Sequence, residues 1–446
     1  MIIKIMKIIA KHFIFIVKST FFTFNLTTIQ SLLRSKTFMK TAITIIFTFF
    51  LTMVYGQTDN YKALLDSAKT FFKREDNLNQ AELEKFDYSQ IASMLETVVK
   101  SNPENAEARY FLGCAYSRMN SKDGQSILNM DIELVKKASE QFEKVIKLTP
   151  KYTGEIVNID PYSKLTSEWG SMGMSYWYNN KDDSAIWAFK EGKTRGGFSD
   201  FILGVNRNVL DACSEGAILI SSGDNFTIPF WYLQTVEKYR PDVAVVDINL
   251  LNTKWYPAFL SNVAFDISNK ELNTLDYIEW TDSVVTINNF SWTVKPSFDD
   301  KYLLRGDRVF LSLLKANEFH RDLYFVNGLT DNQILGLEEY LSPFIIVNKL
   351  SISDKDLQPF EDYKRSISQL LSLSKLLNLN SSDEQRLFDY YIRLDLLNKV
   401  SGYLNDNEKE KAKELMDLLD KFADDTKYPF YSDELKEYED HLRQNI

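Results

Sequence analysis

From residue 58 to residue 200 apolar residues recur at helical spacing; from Gly216 onward they gather into short blocks. A first helix is expected over 60–74, and a second carries Ile91, Leu95 and Val98 and closes on Pro103. Leu112, Gly113 and Tyr116 mark a third, and Ala138 and Phe142 a fourth that ends at Pro150. Trp169, Met172, Gly173 and Tyr176 pair with Ala185 and Phe189 in the same sense. Small residues at 113 and 173 fit places where two helices cross closely, with the aromatic residues filling the groove between them. After Gly216 the pattern changes. Ala217 to Ser221 reads as a buried strand, broken by Gly223-Asp224-Asn225, with a helix running to about Tyr239 and Pro229 in its first turn. Arg240-Pro241-Asp242 ends that helix, and Val243 to Ile248 is a second strand. Strand, helix and strand within so short a span make a βαβ unit with parallel strands. Further expectations are a hairpin over Ser283 to Lys295 turning at Asn288-Asn289, a helix over 305–318, and a third parallel-type strand at Asp322 to Val326. A short helix over Leu335 to Leu341, a strand from Phe344 to Val347, and a charged linker at Asp354 to Glu361 complete the series.

The helical spacings resemble the tetratricopeptide repeat, a 34-residue helix–turn–helix unit. Gly113 and Ala138 lie further apart than the repeat allows, which places a 13-residue insertion between their helices. About three units are expected over 58–212, enough to stack a continuous core, with Tyr403 and Ala412 matching a last hairpin near the carboxyl end. The expected fold is therefore α plus α/β. A tetratricopeptide-like solenoid (58–212) is followed by a three-layer α/β module with a mostly parallel sheet (214–352), a linker (353–369) and a helical tail (370–446).

The middle segment also resembles the soluble module of large multi-pass bacterial membrane proteins related to protein O-mannosyltransferases, the glycosyltransferase family 117 type. The residues that carry the resemblance are Gly223-Asp224-Asn225, Thr227, Pro229, Trp231-Tyr232, Gln234, Val236-Glu237, Arg240, Asp242-Val243, Val245-Val246, Leu250 to Thr253 and Trp255-Tyr256. A second block is Asp307-Arg308 through Leu314, Ala316-Asn317, Arg321, Leu323-Tyr324-Phe325, and Leu335-Gly336-Leu337 with Glu339-Tyr340-Leu341. In that family glycosyl transfer is assigned to the membrane-embedded part, for which these residues offer no counterpart. The resemblance therefore implies an extracytoplasmic accessory module and transfers no catalytic residue.

Residues 1–56 hold seven basic and no acidic side chains. Met39 to Gly56 has a charged start, an apolar stretch too short for a comfortable span and a small residue at its end, the pattern of a signal peptide cleaved before Gln57. Met39 is the expected start, with 1–38 an over-extended upstream segment. Residues 57–446 carry 45 basic and 62 acidic side chains, a net of −17, which makes nucleic acid and anionic membranes poor partners. The expected location is the periplasm of a Gram-negative bacterium, or outside the cell. Cys114 and Cys213 lie in different elements and are expected as buried free thiols.

Little chemistry stands out. His320 and His441 are far apart with no neighbouring Cys, so no metal site is expected, and His320 is read as a helix-end residue. Phosphate-loop, dinucleotide and nucleophile-elbow patterns do not occur, so no cofactor is expected. Asp224 and Asp247 are open to two readings, as paired carboxylates of glycoside chemistry or as a cap and a strand-end residue. Ligands of open parallel sheets bind outside the carboxyl ends of the strands. Those ends carry Ser222, Asn249, Asn327 and Thr330 and the candidate ligand residues Asp224, Asn225, Thr227, Asn252, Thr253, Trp255 and Tyr256, amides, hydroxyls and rings suited to a sugar or peptide. The same residue types also serve as caps and turns. The expected function is a non-catalytic interaction protein whose repeats bind protein or peptide on their concave face and whose α/β module binds a ligand or partner. The alternative is an enzyme or accessory subunit of envelope glycosylation, with a glycan or a membrane glycosyltransferase-like protein as partner.

Overall fold

The computed structural model describes residues 61–74, 87–122, 124–263, 275–330, 332–352 and 358–446. The expected leader, Met39 to Gly56, lies outside the described residues. Residues 1–66 separate from 67–446, and of the former the structure describes 61–66, the first turns of a helix over 61–74 (α1). Residues 67–446 gather into a single compact unit.

Its first part is helical: α2 (Tyr88–Ser101), α3 (Ala106–Ser121), α4 (Ile132–Leu148), α5 (Pro161–Tyr178), α6 (Asp182–Thr194) and α7 (Asp200–Ala212). Each helix from α2 to α5 packs on the next. The small residues do what their spacing predicts. A Cβ added to Gly113 would meet the Phe142 ring at 2.7 Å, and one on Gly173 would meet Phe189 at 2.8 Å. Asp87, Asn105, Asp131, Asp160 and Ser199 cap their helices with side-chain oxygens. The insertion between α3 and α4 is not an open loop. It contains a 3₁₀ turn at Ile127–Asn129 that packs on α5, where Asn179 Nδ2 donates to Leu128 O.

The α/β part contains β1 (Ile218–Ser221), α8 (Thr227–Val236), β2 (Ala244–Asp247), a 3₁₀ turn at Leu250–Asn252 and α9 (Tyr256–Val263). After β3 (Tyr277–Glu279), β4 (Ser283–Ile287), β5 (Phe290–Val294) and β6 (Tyr302–Leu304) come α10 (Arg305–Asn317), β7 (Leu323–Val326), β8 (Leu341–Phe344) and β9 (Val347–Leu350). The main sheet is mixed, in the order β2-β1-β7-β9-β8. β1 lies parallel to both β2 and β7, and both β1 and β7 are buried along their whole length, as the continuous apolar runs require. β4 and β5 form the expected hairpin, with Asn288 at φ +52° in its two-residue turn.

Three local expectations are corrected. Phe344 to Val347 is not one strand: Phe344 ends β8 and pairs with Val347, the first residue of β9, and Ile345-Ile346 form the turn of this antiparallel hairpin, with Ile346 at φ +62°. This hairpin pairs antiparallel with β7, so the sheet is less uniformly parallel than the sequence implies. Leu335 to Leu341 is not a helix: Leu335 and Gly336 both have positive φ, and only a 3₁₀ turn at Glu338–Tyr340 remains. The linker does not extend to 369, because α11 begins at Phe360 directly after Pro359.

The rest of the tail comprises α12 (Ser382–Leu387), a π-helical turn at Phe388–Arg393, α13 (Leu394–Asn405), α14 (Lys409–Ala423) and α15 (Asp433–Arg443). One hydrophobic core runs from Ile127 to Leu442 without a break between the three parts. The tail meets α7 through Phe201 and Phe388, whose rings are 6.1 Å apart. Helix α8 meets α5 so closely that a Cβ on Gly170 would lie 2.1 Å from Ile228 Cγ2. Gly→Ala in a helix interior ordinarily stabilises by up to about 1 kcal/mol. Gly170→Ala is expected instead to destabilise by about 1–3 kcal/mol through overpacking. Urea melts of Gly170→Ala, and of the Gly170→Ala, Ile228→Ala pair, check this; a gain in the single variant contradicts the close α5–α8 approach.

Candidate functional site

The carboxyl ends of β1, β2 and β7 share one edge of the sheet, because the three strands run parallel in adjacent positions. There the backbone leaves β1 through Gly223, at φ +78°, and leaves β7 through Gly328, at φ +90°. A chain of side-chain hydrogen bonds links the three ends. Asn249 Nδ2 donates to Ser222 Oγ at 2.8 Å, Gln333 Nε2 donates to Asn249 Oδ1 at 3.0 Å, and Gln333 Oε1 accepts from the Thr330 amide and hydroxyl. Asn249 and Thr330 are exposed, and Ser222 and Gln333 half-buried.

Beneath this ridge a second network is buried. Thr227 Oγ1 donates to Asp247 Oδ2 at 2.5 Å and lies 2.7 Å from Ser221 Oγ. Asp247 Oδ1 accepts from the Asn249 and Leu250 amides, and its own amide donates to Tyr256 Oη at 3.0 Å. Burial raises the Asp247 carboxyl above the usual carboxylate range, opposed by the hydrogen bonds it accepts from Thr227 and these amides.

The seven candidate residues share this neighbourhood but do different work. Thr227, Thr253, Trp255 and Tyr256 are buried. Thr253 Oγ1 donates to Leu250 O and accepts from the Tyr256 amide. Trp255 does not present the stacking face expected of it. Only 7% exposed, it packs edge-on against Tyr178, and its Nε1 donates to Gly124 O in the α3–α4 insertion. Asn252 Oδ1 accepts from the Gly306 amide at 2.8 Å, capping the start of α10 from another segment. Neither Asp224 nor Asn225 occupies the N-cap position of α8. Its N-cap position is Phe226, which makes no side-chain cap, and the Thr227 amide bonds to Gly223 O instead. Asn225 joins the module to the helices: its Oδ1 accepts from Ser163 Oγ at 3.2 Å and its O from Asn206 Nδ2 at 2.9 Å. Asp224 lies within electrostatic reach of both Asp247 and Glu168. The pairing of Asp224 with Asp247 is thus crowded by a third carboxylate that the sequence does not announce.

That third group belongs to α5. Glu168 and Lys164, one turn apart, are 3% and 6% exposed. Burial pushes the Glu168 carboxyl up to about 7; the Ser117 hydroxyl, Lys164 and Arg118 oppose the shift and Asp224 adds to it. Glu384 in the tail is likewise pushed up to about 7 by burial. Neither was legible in the sequence, since charged residues on a repetitive helix read as a solvated face. Both cysteine thiols are buried. His320 Nδ1 bonds to Asn317 O at the end of α10. No cluster of His, Cys, Asp or Glu among the described residues could hold a metal ion.

A protein family described as TMEM260-associated domain 2 matches residues 203–266. The match spans the end of α7 through α9 and includes all seven candidate residues. It is loosely compatible with the glycosyltransferase-type module that the sequence resembles. No curated protein matches the chain. No helix among the described residues is long and apolar enough to cross a membrane.

Two outcomes follow from this geometry. Glu168 and Glu384 have folded pKa values raised above the unfolded value of about 4.3, so their contribution to stability is fully present below that pH and is lost as pH rises through about 7. Denaturant midpoints should therefore fall between about pH 5 and pH 8, and Glu168→Gln with Glu384→Gln should flatten that fall; an unchanged profile in the double variant contradicts the assignment. Trp255→Phe removes the bond to Gly124 and should lower stability by about 1 kcal/mol, measurable by the same melts.

Proposed function

We propose that the protein is an exported interaction protein in which the paired helices act as tetratricopeptide-type repeats and the α/β part, as a three-layer module, holds a small polar ligand at its strand ends. The observation that carries this reading is the hydrogen-bonded ridge Ser222–Asn249–Gln333–Thr330, which crosses the three parallel strand ends where open α/β sheets take their ligands. Each amide on the ridge keeps further donors and lone pairs for a partner. Asn249 and Thr330 are exposed and Ser222 and Gln333 half-buried, with Asp224 and Asn225 following Ser222 in the same turn, while Thr227, Asp247, Thr253, Trp255 and Tyr256 are buried beneath. Amides and hydroxyls in a row suit a sugar or an extended peptide, and the reading assigns the ridge recognition and no catalysis.

A glycan array screened with the protein tests the reading. The ligand found there should bind roughly tenfold more weakly to Asn249→Ala and to Gln333→Ala, as expected for one lost hydrogen bond. Both variants should melt within about 0.5 kcal/mol of the parent, as surface changes do. Retention of neither glycan nor peptide, or full affinity in the double variant, would end this reading.

A second reading is favoured by the match to TMEM260-associated domain 2 across residues 203–266. Here the ridge is the contact surface for a membrane glycosyltransferase-like protein, with the repeats as accessory scaffold. Crosslinked complexes captured from the envelope separate the two: a multi-pass glycosyltransferase-like partner lost on Asn249→Ala supports the accessory role.

A further inference from the structure

One residue of the tail reaches the strand-end edge. Tyr391 belongs to the π-helical turn Phe388–Arg393, and such turns are rare and recur at functional sites. The turn is held from within. Arg393 and Asp389 are both buried and pair at 3.0 Å, and Arg393 Nη2 donates to Ala423 O and Tyr428 O. Tyr390 on the same turn is exposed, whereas Tyr391 meets the α/β part, its ring against Phe226 with centroids 5.5 Å apart. The phenol of Tyr391 also meets Gly328, where the chain leaves β7. A Cβ added there would collide with Tyr391 Oη and lie 3.1 Å from its Cζ. Glycine at 328 therefore serves two ends: it takes the positive φ of the turn and leaves room for the phenol. Gly328 is exposed, and Thr330 of the ridge is two residues further on, at most about 7.6 Å away between Cα atoms. Tyr391 is half-buried, and its hydroxyl makes no hydrogen bond with any described residue. A phenol can both donate and accept, so this one has its bonding capacity open beside the ridge.

We propose that Tyr391 completes the strand-end site from the tail, its hydroxyl bonding a hydroxyl group of a sugar that the ridge Ser222–Asn249–Gln333–Thr330 holds. The assignment rests on the reading of that ridge as a ligand site, and it narrows the ligand to one class. An extended peptide that adds to a sheet draws on a row of main-chain groups along a strand edge. The ridge instead crosses strand ends and offers side-chain amides and hydroxyls, to which Tyr391 adds one more hydroxyl. Groups that both donate and accept, spread over neighbouring strand ends, match the several hydroxyls of a pyranose. Tyr391 is a recognition residue in this arrangement, with no part in chemistry.

The test titrates the full chain calorimetrically with the methyl pyranosides of glucose, galactose, mannose and N-acetylglucosamine, beside Tyr391→Phe and Asn249→Ala. At least one pyranoside should bind the parent. Tyr391→Phe should bind it roughly tenfold more weakly, the scale of one lost hydrogen bond. The same variant should melt with the parent, because it keeps the ring on Phe226 and removes a hydroxyl with no hydrogen bond to a described residue. Singly deoxygenated forms of the bound pyranoside give a second readout. One of them should bind the parent roughly tenfold more weakly yet bind Tyr391→Phe no worse than the full sugar does, since the two changes remove the same contact. The failures separate. A pyranoside weakened by Asn249→Ala and not by Tyr391→Phe overturns the role of Tyr391 and leaves the ridge standing. Full affinity in Asn249→Ala ends the ridge reading and this inference with it. Binding of no pyranoside overturns the sugar assignment and leaves the ridge its peptide alternative. A lower melting temperature in Tyr391→Phe also overturns the inference, since the hydroxyl would then be bonded inside the protein.

Discussion

Asp160 ties two distant helix starts together, and the arrangement around the site depends on it. Its Oδ1 accepts from the Tyr162 and Ser163 amides and so caps α5. Its Oδ2 accepts from Ser381 Oγ at 2.5 Å and from the Asp383 amide at 3.1 Å, at the start of α12. Asp383 returns the contact, its Oδ2 accepting from the Asp160 amide at 2.8 Å. Two helix N-termini therefore meet head to head through carboxylates, each near the positive end of the other's dipole. Asp160, Ser381 and Asp383 are all buried, so these bonds work in a medium of low dielectric, where a missing partner is expensive.

The strand-end turn Ser222 to Phe226 sits beside this junction and is held from both sides. Asn225 bonds to Ser163 of α5, and Phe226 packs against Tyr391 of the tail, with ring centroids 5.5 Å apart. A third anchor comes from the α3–α4 insertion, whose Gly124 carbonyl receives the Trp255 indole. The helices before the α/β part and those after it thus share the work of shaping one loop. That is the reason for one compact unit where the sequence reads as three segments.

How far the sequence carried can be judged from particular residues. The helices around Gly113, Gly173 and Phe189 were legible because close helix crossings demand small residues opposite large ones. The strands at 218–221 and 244–247 were legible because a strand buried on both faces must be continuously apolar. The turn at Ile345-Ile346 was not, since it places a β-branched residue at φ +62° with no Gly or Asn to mark it. The start of α11 at Phe360 was hidden by the charges around it. At the site, the neighbourhood was legible and the roles were not. Trp255 and Tyr256 read as stacking groups, because nothing local reveals that the insertion near Gly124 meets Trp255 or that Tyr256 is wholly buried. Nothing in the local sequence of α5 marks Glu168 and Lys164 as buried, yet they are 3% and 6% exposed.

The central claim is that both helical parts jointly hold the strand-end turn, through the junction at Asp160. Native-state hydrogen exchange on the parent and on Asp160→Ala tests it most directly. Protection in α5, in α12 and at the amides of Phe226 and Thr227, which bond to Gly223 O, should fall together in the variant. Loss of protection in α5 and α12 with unchanged exchange at Phe226 and Thr227 would contradict the account, because the α/β part would then hold its own turn without the helices.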